Sequence, residues 1–105
     1  MKERFAAGEP YLREALKIRR QQTPDAWDTF HMQTLLGDAL LHQGQRAAAE
    51  PFLLEGHAGL LKRADTIPEK FRKLRITQAV ERLVKLYEAW GKSAEAEKWR
   101  KELVK

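Results

Sequence analysis

The chain of 105 residues is 43% apolar and 33% charged, a balance that indicates one folded domain and excludes a disordered chain. It has no cysteine, which excludes disulfides and thiolate metal sites, and no apolar run near the roughly 20 residues of a membrane span. The net charge of +5 arises entirely within residues 66–105. The N-terminal residues carry no apolar signal segment, so we expect a cytoplasmic protein without a membrane partner.

Apolar periodicity predicts five helices. Met32, Leu36 and Leu40 share one helical face, and the same spacing recurs from Ile76 to Trp90. No stretch alternates apolar and polar residues as a strand does. We therefore expect an all-α fold whose helices span residues 3–21, 25–43, 46–64, 68–90 and 93–104.

Turn residues predict where these helices begin and end. Thr23, which precedes a proline, and Ser93 are typical N-cap residues, and Thr66 with Glu69 has the spacing of a capping box. Gly44 and Gly91 each follow an apolar periodic stretch, which predicts a helix end at both positions.

The third predicted helix has two apolar faces. One face comprises Ala49, Phe52, Leu53, Gly56 and Leu60, and the other comprises Leu54, Ala58 and Leu61. A helix packed on one side needs only one apolar stripe, so two stripes predict a helix held between neighbours. Glycines at 56 and 59 are unfavourable inside a helix, and close approach of another helix would compensate for them.

Self-comparison reveals an internal repeat. Gly8-Glu9-Pro10-Tyr11-Leu12 recurs 41 residues later as Ala49-Glu50-Pro51-Phe52-Leu53. A third copy, 47 residues beyond the second, comprises Gly91, Ala94, Ala96, Glu97, Trp99 and Glu102. The repeating unit is a helix, a tight turn at glycine, a second helix and a longer connection, and such units stack to share a core.

The repeat resembles a known family. The residues at the family's spacing are Leu36-Gly37, Leu40, Gly44, Ala49 and Leu53, followed by Leu83, Tyr87, Gly91 and Ala96. This pattern is similar to the tetratricopeptide repeat (TPR), and the period with its Ala-Glu-Pro phrase resembles the kinesin-light-chain type. Residues 82–92 and 98–100 also resemble the C-terminal TPR region of bacterial serine/threonine protein kinases.

The resemblance implies a right-handed α-solenoid of about five antiparallel helices, or two and a half hairpins. Residues 1–105 would form one TPR-like domain taken from a longer protein, acting as a protein-interaction scaffold or as the regulatory tail of a signalling protein. In the family, partners bind the concave groove lined by the first helix of each hairpin. The exposed positions there would be His31, Thr34, Asp38, Leu41, His42, Gln78, Glu81, Arg82 and Lys85.

Two alternatives stay open from the residues themselves. The basic cluster of Lys70, Arg72, Lys73 and Arg75 is either a solvated helix end or a contact for nucleic acid, which we consider the weaker hypothesis. The second alternative is that the chain is a purely structural or oligomerisation segment. In that case the first predicted helix has an unpaired apolar face that drives self-association, formed by Tyr11, Leu12, Ala15, Leu16 and Ile18.

Candidates for catalysis are few. Ser93, the only serine, occupies a predicted helix start, and His31 and His42 are eleven residues apart, roughly 16 Å along a helix, which is too far to share one metal ion. Asp25 and Asp28 lie where first-turn acids complement a helix dipole. The tryptophans at 27, 90 and 99 border apolar stripes and are expected to pack. We therefore expect no enzyme, cofactor or metal site.

Overall fold

Five α-helices follow one another along the chain in the computed structural model, which describes residues 2–104. They are α1 (Lys2–Gln22), α2 (Trp27–His42), α3 (Arg46–Lys62), α4 (Glu69–Ala89) and α5 (Ser93–Leu103), with a 3₁₀ turn at Ala64–Thr66. These residues contain no strand, which confirms the all-α prediction, and each helix end lies within two residues of its predicted position. Met1 and Lys105, which the predicted domain includes, lie outside the described residues.

The same turn ends α2 and α4, as the two glycines predicted. Gly44 and Gly91 have φ of +80° and +74°, a backbone region that side chains with a Cβ rarely adopt. In each turn the amide after the glycine donates to a carbonyl of the last helical turn: Gln45 to Leu40 (3.0 Å) and Lys92 to Tyr87 (2.9 Å). This recurrence of one C-terminal motif makes α2–α3 and α4–α5 equivalent hairpins.

The predicted N-caps are wrong. Trp27 begins α2 without a side-chain cap, and Thr23 belongs to a preceding turn in which its carbonyl accepts from the Thr29 hydroxyl at 2.7 Å. Ser93 is the first residue of α5 and makes no capping bond. The Thr23 carbonyl thus serves the connection between α1 and α2, and neither side chain caps the helix that follows it.

The predicted capping box between Thr66 and Glu69 does not form either. The Thr66 hydroxyl donates to the carbonyl of Arg63 at 2.7 Å and so closes the 3₁₀ turn that leads out of α3. Pro68 then precedes α4 without a side-chain cap. The hydroxyl is already used by the turn, so it is not available to the next helix.

Consecutive helices run antiparallel and share a core. Glu9, near the start of α1, accepts from Gln43 after the end of α2, while Arg19 near the end of α1 pairs with Asp28 at the start of α2. The larger cluster of buried side chains joins all five helices and comprises Leu16, Leu36, Leu40, Ala49, Leu53, Leu83, Leu86, Tyr87 and Ala96. A smaller cluster of Leu60, Ile67 and Ala79 lies beside Trp27 and Phe30. All three tryptophans pack against these clusters, as predicted.

Helices α2 and α3 approach closely where α3 carries glycine. A Cβ added at Gly56 would lie 2.5 Å from Cγ2 of Thr34, and one added at Gly59 would overlap the ring of Phe30. Real Cβ contacts are never that short, so only glycine admits α2 at this distance. The expectation that another helix compensates for the two glycines is confirmed.

The second apolar face of α3 is exposed. Leu54 and Leu61 are 37% and 56% exposed, and Ala58 is exposed as well, so no helix of the described residues covers this face. Helix α4 packs instead beside the first face, where the hydroxyl of Tyr87 donates to the Glu50 carboxylate at 2.7 Å. The prediction that α3 is held between neighbouring helices is therefore confirmed, but the prediction that its second apolar face makes one of these contacts is wrong.

The glycine contact can be tested by adding one methyl group. We expect Gly59→Ala to destabilise the fold by about 1–3 kcal/mol, because the new Cβ overlaps Phe30 in a packed interface. Gly8→Ala in α1 is the matched control, because nothing lies within 4 Å of its added Cβ and alanine stabilises a helix by up to ~1 kcal/mol. Urea unfolding followed by circular dichroism measures both, and a Gly59→Ala protein as stable as the wild type would contradict the packing described.

Candidate partner-binding groove

Helices α2 and α4 lie side by side and enclose a groove. Its cavity of about 340 Å³ is lined by Asp38, His42, Gln78, Glu81, Arg82 and Lys85, together with Phe5 of α1. The family resemblance implied the first six as groove residues, and the structure brings these six together. Phe5 was not expected there, because no pattern within α1 indicates that its first turn reaches the end of α2.

Three other predicted positions lie away from the cavity. Thr34 is fully buried, so the expectation that it is exposed is wrong. Its hydroxyl donates to the carbonyl of His31 at 2.7 Å and accepts from Nη1 of Arg82 at 3.3 Å. His31 is half-buried, and Leu41 is half-buried against the larger core cluster. The close packing of α2 on α3 and α4 turns this part of α2 inward.

An aromatic stack forms one wall of the groove. The rings of Phe5 and His42 are parallel within 10°, with centroids 4.1 Å apart. Nδ1 of His42 lies 2.8 Å from the carbonyl oxygen of Asp38 and 3.4 Å from its carboxylate. Because a carbonyl oxygen only accepts, Nδ1 carries a proton, and the imidazole is held flat against Phe5.

Charges of both signs line the floor. Nε of Arg82 lies 4.0 Å from the Asp38 carboxylate, and Arg82 is only 17% exposed. Burial lowers the pKa of Arg82, Asp38 opposes that shift, and the guanidinium still stays charged near neutral pH. Lys85 and Glu81 are exposed at the rim. Two cations and two carboxylates thus give the groove a patterned and locally neutral surface.

The far end of the same helix pair is cationic. Burial, followed by the charges of Arg75 and Arg82, lowers the pKa of His31 to about 4, so this imidazole is neutral at pH 7. Nδ1 of His31 and Nε of Arg75 are buried without a hydrogen-bond partner among the described residues. Arg75 donates to Gln78 at 3.1 Å, and no described carboxylate lies within ion-pair distance of it. At this end of the groove, the N–H group of Arg75 Nε therefore has no acceptor among the described residues.

The basic cluster of Lys70, Arg72, Lys73 and Arg75 does not form one free surface. Arg72 donates to the carbonyls of Ala64 and Ile67 at 2.8 and 3.2 Å, and thereby holds the connection between α3 and α4. Arg75 turns toward Gln78 and the His31 end of the groove. Only Lys70 and Lys73 are exposed.

The residues considered for chemistry have structural partners. Asp25 pairs with Arg63 at 3.1 Å, and Asp28 pairs with Arg19 at 2.6 Å, so the two carboxylates are held by different helices. Residues 2–104 contain no group of three or more His, Asp or Glu side chains arranged to hold a metal ion. None of the helices described is both long and apolar enough to cross a membrane.

Comparison of this chain with known protein families, with curated proteins and with solved structures finds no match. The interpretation of the groove therefore depends on its own geometry and on the internal repeat.

Burial of the His31 side chain, which is half-buried, is expected to make the stability of the fold depend on pH. Because the pKa of His31 is about 4 in the folded chain and 6.5 ordinarily, the unfolded chain binds more protons between these values. The contribution of His31 to stability is therefore complete above pH 6.5 and is lost as the pH falls toward 4. We expect His31→Leu to flatten the rise of the urea midpoint between pH 5 and 7, with burial of His57 leaving a residual slope of the same sign.

The control is Leu54→Ala on the exposed face of α3, which removes no titratable group and is expected to retain the wild-type slope. An unchanged slope in His31→Leu would show that the imidazole protonates equally well in the folded chain.

Proposed function

We propose that the chain is a tetratricopeptide-type module that binds a segment of another protein in the groove between α2 and α4. Two equivalent hairpins, each closed by a glycine at positive φ and each with a buried alanine at its helix contact, support this assignment. The alanines are Ala49 and Ala96, which occupy equivalent positions of the repeat. Stacked hairpins bury a continuous core and leave one helix of each pair to face a partner.

The observation that carries the proposal is the convergence of six predicted groove residues on one cavity. These residues come from two consecutive turns of α2 and three of α4, and the two sets are more than 30 positions apart in the chain. A cavity of about 340 Å³ suits one or two side chains of an extended or helical peptide.

The chemistry of the groove indicates what such a segment carries. A carboxylate suits the end where Arg75 has no ion pair and its Nε has no hydrogen-bond partner among the described residues, because burial strengthens a charge-assisted hydrogen bond there. A flat or aliphatic side chain suits the stacked rings of Phe5 and His42. The proposed ligand is therefore a peptide with an acidic residue and an apolar residue on one face.

The proposed biological context rests on the resemblance to the repeats found after bacterial kinase domains. We propose a regulatory or scaffolding role within a larger cytoplasmic signalling protein, without catalysis by this chain. The partner is recognised by the residues of the groove, and the parent protein supplies any enzymatic activity.

A charge exchange within the groove tests the proposal. Glu81→Lys with Lys85→Glu keeps the net charge of +5 but inverts the rim of the groove, so a groove partner is expected to bind at least about tenfold more weakly. The matched control exchanges Glu97→Lys with Lys101→Glu on α5, one helical turn apart and outside the groove. Immobilised proteins are compared for the partner they retain from nuclease-treated lysate.

Each outcome separates the hypotheses. A protein retained by the wild type and the α5 control but lost from the groove variant supports groove recognition. Equal retention by all three, or retention of nucleic acid alone from untreated lysate with a steep dependence on salt, contradicts it. Empty eluates from all three favour a purely structural segment.

A further inference from the structure

The outer face of α1 is apolar and uncovered in the described part of the chain. Tyr11 is 79% exposed and Ile18 is 42% exposed. Helical spacing places Gly8 and Ala15 on the same side of α1, and these four residues are termed the outer α1 face. None of them lines the groove between α2 and α4. An adjacent side of α1 packs into the larger core cluster through Leu16, which is buried and so does not belong to the unpaired face expected from the sequence.

The internal repeat indicates that the outer α1 face is suited to packing against another helix. Gly8, Ala15 and Ile18 correspond to Ala49, Gly56 and Gly59 of α3 at the offset of 41 residues. All three α3 residues are buried, and the two glycines receive α2. The equivalent positions on α1 have the same spacing along the helix, so they form a surface on which another helix can pack. A cavity of about 590 Å³ bordered by Ala15, Ile18 and Ala26 lies at its end.

A helix of the α2 kind does not fit this surface. On α3 the ring of Phe30 occupies the space that glycine leaves at position 59. On α1 that position is Ile18, whose side chain fills the same space. The helix that covers the outer α1 face must therefore offer a small residue opposite Ile18 and another opposite Tyr11.

We propose that this helix is α1 of a second copy of the chain, docked antiparallel about a two-fold axis at residue 13. In that register residue i faces residue 26 − i of the other copy, so Tyr11 faces Ala15 and Ile18 faces Gly8. Both large side chains then meet small ones, and each contact occurs twice by symmetry, as in any isologous interface. A parallel pair would bring Tyr11 against Tyr11 and Ile18 against Ile18.

This dimer is independent of the proposed groove, because it uses α1 alone. The contact spans about three helical turns on each copy, which is a small interface for a homodimer, so a weak dimer in reversible equilibrium with the monomer is expected. Sedimentation equilibrium of the 105-residue chain over rising concentration is therefore expected to show a monomer converting to a dimer.

Size-exchange variants test the register. Gly8→Ile leaves the monomer intact, because nothing lies within 4 Å of a Cβ at this position, yet it places isoleucine opposite Ile18 and is expected to weaken the dimer at least about tenfold. Gly8→Ile combined with Ile18→Gly restores one large and one small residue at each contact, and most of the affinity is expected to return.

Arginine substitutions test the surface. Ile18→Arg is expected to abolish the dimer, whereas Leu61→Arg, at a comparably exposed leucine on α3, is the control and leaves it intact. Circular dichroism of each variant verifies that the helices remain folded.

Cross-linking tests the orientation, because the chain has no cysteine of its own. A mixture of Tyr11→Cys and Ala15→Cys proteins is expected to form disulfide-linked pairs of one variant with the other. Cross-linking of each variant only with itself would indicate a parallel pair and overturn the register. A wild-type chain that stays monomeric at every concentration, or a dimer broken by Leu61→Arg and not by Ile18→Arg, would overturn the proposal itself.

Discussion

The close contact between α2 and α3 is the constraint on which the other helix positions depend. Three glycines line it: Gly56 and Gly59 on α3 admit Thr34 and Phe30, and Gly37 on α2 admits the side chain of Leu53. Added Cβ atoms would overlap at each position, so the two backbones approach closer than side chains normally allow. This proximity orients α2 so that one face packs on α3 and the adjacent face, which carries Asp38 and His42, turns toward α4.

The groove is a consequence of that orientation. Thr34 is pressed into the interior, where its hydroxyl accepts from Arg82 and so ties α2 to α4. One turn further along α2, Asp38 shares the same guanidinium and supports the His42 imidazole. Half-buried polar groups of this kind lose water and need fixed partners. These contacts hold the side chains of the groove floor in place, and the specificity of the groove is expected to come from the cationic end and from the aromatic stack.

Equivalent positions of the repeat differ in burial between α1 and α3. On α3 the face containing Gly59 is covered by α2, whereas on α1 the face containing Ile18 is open. Where α3 has Gly59, which makes room for a large side chain, α1 has Ile18, which projects from the helix. A helix that packs on α1 is therefore expected to carry a small residue at this point. Groove and outer α1 face share no residue, so ligand binding and dimerisation would combine in one chain, and a dimer would present two grooves.

The sequence by itself determined the five helices and the two glycine turns, because the apolar period and a glycine at a helix end are local properties, and it implied the six residues that line the groove only through the resemblance to a known family. It did not determine the N-caps, the burial of Thr34 or the contribution of Phe5. Hydroxyl groups choose among several nearby acceptors, and that choice depends on where the adjoining helix lies. Burial of Thr34 and the stacking of Phe5 on His42 join residues far apart in the chain. Only the tertiary packing of α1, α2 and α4 decided them, because no local pattern records how closely two helices approach.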